Sequence, residues 1–272
     1  MKTFIGCLVA AMALAGMAMP VKAQDQGIPF AGGTIRIAEN DDYERVVTFD
    51  DREIARDYMV FFDRIVSVND TDVALISVGP GGNACGANTL MVWSDGEGGV
   101  KTDSLPGDCG WPAPAVSDYR ILFVPWVGPG EELAIRSWQP DAGFSMAGML
   151  RFAPEPGTTW PDLTADPARH PIDYFLNEAL FTAASNALGD DLEEYATGLR
   201  VSSEMEEVGD ALFAASGCVP HNCGGADSLL VVDLKSETAW FAQMRGNTVA
   251  HWPELDKWPE PARTQLSRLD IN

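Results

Sequence analysis

The chain predicts an α+β protein in two parts: a β-rich first domain, then an antiparallel sheet packed with helices. Three observations carry this reading. Short apolar stretches divided by Gly, Pro, Asn and Asp clusters fill residues 24–152, the pattern of strands and tight turns. Five prolines then crowd into residues 153–171, a composition that suits a semi-extended linker. From Pro171 the apolar spacing becomes helical, before strands return towards the C-terminus. With 272 residues, 46% of them hydrophobic, and eight Trp, the chain can bury a substantial core.

Residues 1–23 stand apart. Met1-Lys2 is basic, Phe4 to Met19 is apolar, and Val21-Lys22-Ala23 is a small-residue cleavage site. Together they read as a secretory signal peptide, with cleavage expected after Ala23. The apolar run, about 16 residues, is short for a bilayer span, and Cys7 lies too early for a lipoprotein cysteine. The expectation is therefore an exported, periplasmic protein with no membrane insertion.

Loss of the leader leaves Cys85, Cys109, Cys218 and Cys223, an even number in an oxidising compartment. Of the three connectivities, Cys85–Cys109 with Cys218–Cys223 keeps both bridges local. Chain entropy gives about 3.5 kcal/mol for the longer loop and about 2 kcal/mol for the shorter. The short bridge therefore matters more for shape than for stability. Loss of Lys2 and Lys22 also takes the formal charge from −22 to −24. Such a field repels nucleic acid and anionic membrane and draws in basic proteins; it also serves ordinary solubility.

Residues 24–35 read as a flexible lead-in. Strands are expected at Thr34–Ala38, Arg45–Phe49, Ile65–Val68, Val73–Val78, Thr89–Trp93, Arg120–Val124, Glu132–Trp138 and Met149–Phe152. Residues 51–62 have helical spacing in Ile54, Tyr58 and Phe61/Phe62. Gly79-Pro80-Gly81-Gly82 lacks the Gly-Lys-Ser/Thr ending of a phosphate loop, and Gly143-Phe144-Ser145-Met146-Ala147-Gly148 is no nucleophile elbow. Neither an enzyme nor a cofactor is expected, and no task is legible in this domain.

The second domain, residues 172–272, opens with Ile172, Phe175/Leu176, Ala179/Leu180, Ala183/Ala184 and Ala187/Leu188 at helical spacing. Pro171 suits the first turn and Gly189 the stop. A short second helix spans Asp191–Ala196 and ends by Gly198. His170, between Arg169 and Pro171, reads as a surface residue. Strands Glu204–Val208 and Ala211–Ser216 flank a Gly209-Asp210 turn. Ser228–Leu234, Ala239–Met244 and Val249–Trp252 follow, and His251 reads as packing beside Trp252 and Trp258.

Between two of these strands lies Cys218-Val219-Pro220-His221-Asn222-Cys223. As a metal site it lacks a clear fourth ligand. As a catalytic site it lacks a free thiol and a nucleophile–base pair. Two readings remain: a disulfide-closed turn with an incidental His, or a recognition loop. A protrusion stiffened by proline and a disulfide loses little entropy on docking.

The loop resembles the Cys-Lys-Pro-His-Asp-Cys loop of the Ivy family of periplasmic inhibitors of vertebrate lysozyme. The likeness covers roughly residues 172–272 and is strongest from Val208-Gly209-Asp210 to Met244. Cys218, Pro220, His221, Cys223 and Gly224 match the motif, and Leu229-Leu230-Val231-Val232-Asp233 looks like the family's sheet. The resemblance implies a loop of Val219, Pro220, His221 and Asn222, closed by Cys218–Cys223, that enters the target's cleft. His221 then contacts the acids that cleave the polysaccharide. Val219 stands in place of the family's Lys and Asn222 in place of its Asp, so the loop lacks both charges.

The implied function is inhibition of a basic lysozyme or, with the altered loop, of an endogenous lytic transglycosylase. The alternative is an envelope binding or assembly module that reuses the fold and inhibits nothing. A homodimer is compatible with either.

Overall fold

The computed structural model describes residues 27–81, 86–107, 112–164 and 169–269. The leader lies outside the described residues, as do Cys85 and Cys109 with the bridge expected between them. The described residues form four antiparallel sheets and a few helices.

Three four-stranded meanders make the first domain. The first comprises β1 (Ile28–Phe30), β2 (Gly33–Glu39), β3 (Arg45–Phe49) and β4 (Arg52–Asp57). The second comprises β5 (Met59–Val68), β6 (Thr71–Gly79), β7 (Asn88–Ser94) and β8 (Val100–Ser104). The third comprises β9 (Pro114–Val116), β10 (Ile121–Phe123), β11 (Glu132–Gln139) and β12 (Gly143–Arg151).

The middle sheet is covered on both sides. Val60, Ala74, Ile76 and Val92 pack with Phe30, Ile35, Val47 and Phe49 of the first sheet. Val73, Leu75, Met91 and Trp93 pack with Ile121, Phe123 and Trp138 of the third. Successive side chains of a strand point to opposite faces. Burial of both faces therefore makes Val73-Ala74-Leu75-Ile76 and Leu90-Met91-Val92-Trp93 continuous apolar runs instead of alternating ones. Tight turns join the strands: Asp50-Asp51 and Asn69-Asp70 have positive φ at both positions, which matches the twist of a two-residue hairpin.

Two expectations are corrected here. The lead-in is not loose over its whole length, because Ile28–Phe30 pairs with Gly33–Ile35 and buries Phe30 in the first core. Residues 51–62 are not helical but form β4 and the start of β5. Tyr58 and Phe61, which suggested the helical spacing, are exposed, while Val60 between them is buried. A register shift between Phe62 and Arg64 further blurs the alternation that marks a strand.

In the second domain a 3-10 turn, Pro171–Leu176, precedes α1 (Glu178–Leu188) and α2 (Leu192–Thr197). The helix expected to run on from Pro171 is therefore interrupted. Asn177 adopts extended backbone, and its side chain accepts a hydrogen bond from the Leu180 N–H at 3.0 Å, which makes it the N-cap of α1. Gly189 ends α1 as expected.

Strands β13 (Val201–Ser202), β15 (Leu212–Cys218), β16 (Ser228–Asp233), β17 (Thr238–Arg245) and β18 (Thr248–Trp252) lie in that order, with β14 (Glu206–Gly209) also on β15. Helices cover one face: Leu180, Ala184 and Tyr195 pack on Leu230, Val232 and Phe241. The C-terminal segment, with α3 (Glu260–Arg263), covers the other through Trp258, Ala262 and Leu269 on Leu229, Val231 and Trp240. The proline-rich stretch is strapped to α1: Asn177 Nδ2 donates to Thr159 O at 2.7 Å, and Leu163 is buried in the helix-side core.

Candidate functional site: the cysteine-closed loop

The loop leaves the sheet between β15 and β16, where Gly217 pairs with Ser228. Cys218, 6% exposed, anchors it in the protein, and Cys223 is exposed. They form the expected disulfide, with Cα atoms 4.9 Å apart.

Inside the ring the Asn222 N–H donates to Val219 O at 2.9 Å. Pro220, with its φ held negative, occupies the second position of this turn, and His221 the third with φ +64°. That is the pattern of a type II turn, which usually places Gly or Asn where His221 stands. The left-handed conformation costs a residue bearing a β-carbon about 1–2 kcal/mol. The Gly225 N–H then donates to Asn222 O at 3.2 Å, with Gly224 at φ +86°. The Asn222 amide lies over Gly225, where a β-carbon would come within 2.6 Å of Oδ1. Pro220, His221 and Asn222 are exposed, and Val219 is half-buried.

Two features that support the loop were not read from the sequence. Asp227 accepts from the Gly224 N–H at 2.7 Å through its carboxylate and from the Met244 N–H at 2.8 Å through its carbonyl. An Asp placed after Gly-Gly and before an apolar strand was the available signal. The second feature is a buried polar set at the loop's root. Tyr195 Oη donates to Leu229 O at 2.8 Å, Ser228 Oγ donates to Tyr195 O at 2.9 Å, and Gln243 Nε2 donates to Glu194 O at 3.0 Å. Complete burial raises the Tyr195 phenol well above its ordinary pKa, so it stays a neutral donor. Gly198 lets α2 approach closely, since a β-carbon there would collide with Ser228 and sit 2.7 Å from Ala226 O.

The other histidines are not part of the loop, although His170 touches Ser202, which pairs with Gly217 beside Cys218. His170 corrects its reading as a surface residue. It is half-buried, its Nδ1 accepts from the Ile172 N–H at 3.3 Å, and its Nε2 lies 3.0 Å from Ser202 Oγ. His251 packs edge-on to Trp258, ring centroids 5.9 Å apart, and burial lowers its pKa below the ordinary 6.5.

The site is thus a rigid, exposed turn on buried supports, built to present side chains. Comparison with known proteins divides the chain where the fold does. Residues 31–151 match the Y4bG N-terminal domain model, which ends at the last residue of β12. The chain is also similar to "Uncharacterized protein y4bG" of Sinorhizobium fredii (strain NBRC 101917 / NGR234). The two are 29% identical over 249 residues, covering 91% of this chain and 90% of that protein, so the likeness spans both domains. Residues 179–270, which carry the loop, match the family "Inhibitor of vertebrate lysozyme (Ivy)".

Proposed function

We propose that the second domain inhibits a peptidoglycan-cleaving muramidase by seating loop 218–223 in the enzyme's catalytic cleft, in the periplasm after export. The observation that carries this reading is the disulfide-closed type II turn, exposed at Pro220, His221 and Asn222 and tied to a buried polar root. Such a turn docks with little loss of conformational freedom. Its imidazole can hydrogen-bond the carboxyl groups on which glycoside cleavage depends. The match to an inhibitor family supports occlusion in place of catalysis. The formal charge, −22 for the chain and −24 without Lys2 and Lys22 of the leader, favours a basic enzyme and speeds encounter at low salt.

The test is the rate of cell-wall lysis by a C-type lysozyme and by a lytic transglycosylase, with wild type, His221→Gly and the Cys218→Ser/Cys223→Ser pair. Glycine accepts φ +64° without strain, so His221→Gly keeps the turn and removes only the imidazole. Its inhibition constant is expected to weaken by about thirtyfold or more, the range of an interface hot spot, while circular dichroism shows a folded protein. The paired serine variant is expected to lose less, through a floppier loop. Full inhibition by His221→Gly would remove the imidazole from the mechanism. No inhibition of either enzyme by wild type would overturn this reading and leave an envelope-binding module.

A further inference from the structure

A second site lies away from the loop's tip, where the two domains meet. An open cleft of about 330 Å³ is lined by Trp126, His170, Ile172, Asp173 and Arg200. Trp126 comes from the connection between β10 and β11 and is 56% exposed. The Arg200 guanidinium stacks on its ring, 5.4 Å from the centroid, and pairs with the Glu131 carboxylate, which is held in place by the Gly128 N–H at 2.7 Å. The His170 ring is fixed from both nitrogens, as described above. Acceptance at Nδ1 places its proton on Nε2, facing Ser202. The Asp173 backbone is tied down, its N–H donating to His170 O at 2.9 Å and its carbonyl accepting from Arg169 at 2.7 Å.

The chemistry of these walls selects among occupants. An anion meets the Asp173 carboxylate and an arginine already neutralised by Glu131, on a chain of formal charge −22. A cation meets that same arginine. A purely apolar molecule takes water from the Asp173 carboxylate and gives it no hydrogen bond in return. A neutral polyhydroxylated ring satisfies every wall: its C–H face lies on the indole, its hydroxyls donate to Asp173, and its oxygens accept from Arg200. Ile172 adds an apolar contact suited to an acetamido methyl. The volume falls at the small end of the range for ligand sites, about 300–1,000 Å³, and suits the end of a short oligosaccharide.

We propose that the interdomain cleft of Trp126, Asp173 and Arg200 binds a neutral N-acetylated saccharide. This assigns the first domain a task, supplying the aromatic platform, and does not depend on whether the loop inhibits anything. Calorimetric titration of the full chain with an N-acetylglucosamine tetramer tests it, with soluble cell-wall glycan strands whose lactyl carboxyls are blocked as neutral amides as a second arm and a glucose tetramer as the non-acetylated control. Saturable binding of the tetramer is expected, weakened about tenfold in Trp126→Ala and about fivefold in Asp173→Asn, which keeps the shape. Binding of the wall strands as well as the tetramer identifies the bacterial wall as a source of the ligand; binding of the tetramer alone identifies chitin-type glycan. The Cys218→Ser/Cys223→Ser pair is expected to bind the sugar like wild type, which separates this site from the loop. No binding of either acetylated probe, equal binding of the glucose tetramer, or binding untouched by both cleft variants would overturn the proposal.

Discussion

The two domains solve one problem in different ways. Each has central strands buried on both faces, β6 and β7 in the first and β16 and β17 in the second. In the first domain the covers are other sheets, and tight turns such as Asp50-Asp51 and Asn69-Asp70 join neighbouring strands. In the second the covers are helices on one face and the C-terminal segment on the other. The difference lies in what a helix can do at the end of a strand. Tyr195 and Glu194 of α2 reach the ends of β16 and β17, where Tyr195 Oη donates to Leu229 O and Glu194 O accepts from Gln243 Nε2. With that support the β15–β16 connection extends as a shaped loop, where a two-residue hairpin would have sufficed to join the strands. A doubly covered sheet provides rigidity, and the polar contacts at its end provide the platform for the loop.

The largest expected effect tests whether the C-terminal cover is as necessary as the helical one. Trp258 is 2% exposed and fills the face opposite the helices. Trp258→Ala is expected to cost about 3–5 kcal/mol, read from urea unfolding followed by circular dichroism. A loss under about 1 kcal/mol would mean that this face collapses around the gap and that the second domain rests on its helices.

Next in size is the link between the domains. Glu131 is 8% exposed in the first domain, and Arg200, its partner in the second, is an exposed residue with about a third of its side chain open to solvent. Arg200→Met leaves a buried carboxylate without its cation, at a cost of about 2 kcal/mol after allowance for solvent on the arginine side. Two unfolding transitions further apart than in wild type are expected. A single unchanged transition would show that the pair does not couple the domains.

The smallest effect concerns pH. His251 has its pKa lowered by burial, so the unfolded state binds a proton more readily than the folded one. Its contribution to stability is complete above the ordinary 6.5 and is lost as pH falls through the lower folded value. His251→Gln is expected to flatten the fall in urea midpoint between about pH 7 and 5. An identical slope in the variant would assign that fall to other groups.

The sequence by itself determined what is local. The spacing of Cys218 and Cys223 with Pro220 between them described a closed, stiff turn, and the structure has that turn. Gly189 marked the end of α1, and the apolar runs marked the central strands of both domains. These features arise from torsional preferences and hydrogen bonds within a few residues, so a short window contains their cause. The resemblance of the loop's motif then pointed to the family that residues 179–270 match.

Tertiary structure decided the rest. Residues 51–62 carry a spacing that serves a helix or a bulged strand, and only the burial of Val60 beneath the neighbouring sheet selects the strand. Asn177 breaks the expected long helix because its side chain is occupied from two directions, by the Leu180 N–H of α1 and by Thr159 O of the proline-rich strap. Arg200 and Glu131 lie in different domains, and the cleft beside them draws Trp126 from one and Asp173 from the other. Which face of a strand is covered, and by what, depends on groups far away in the chain, and no local preference specifies them.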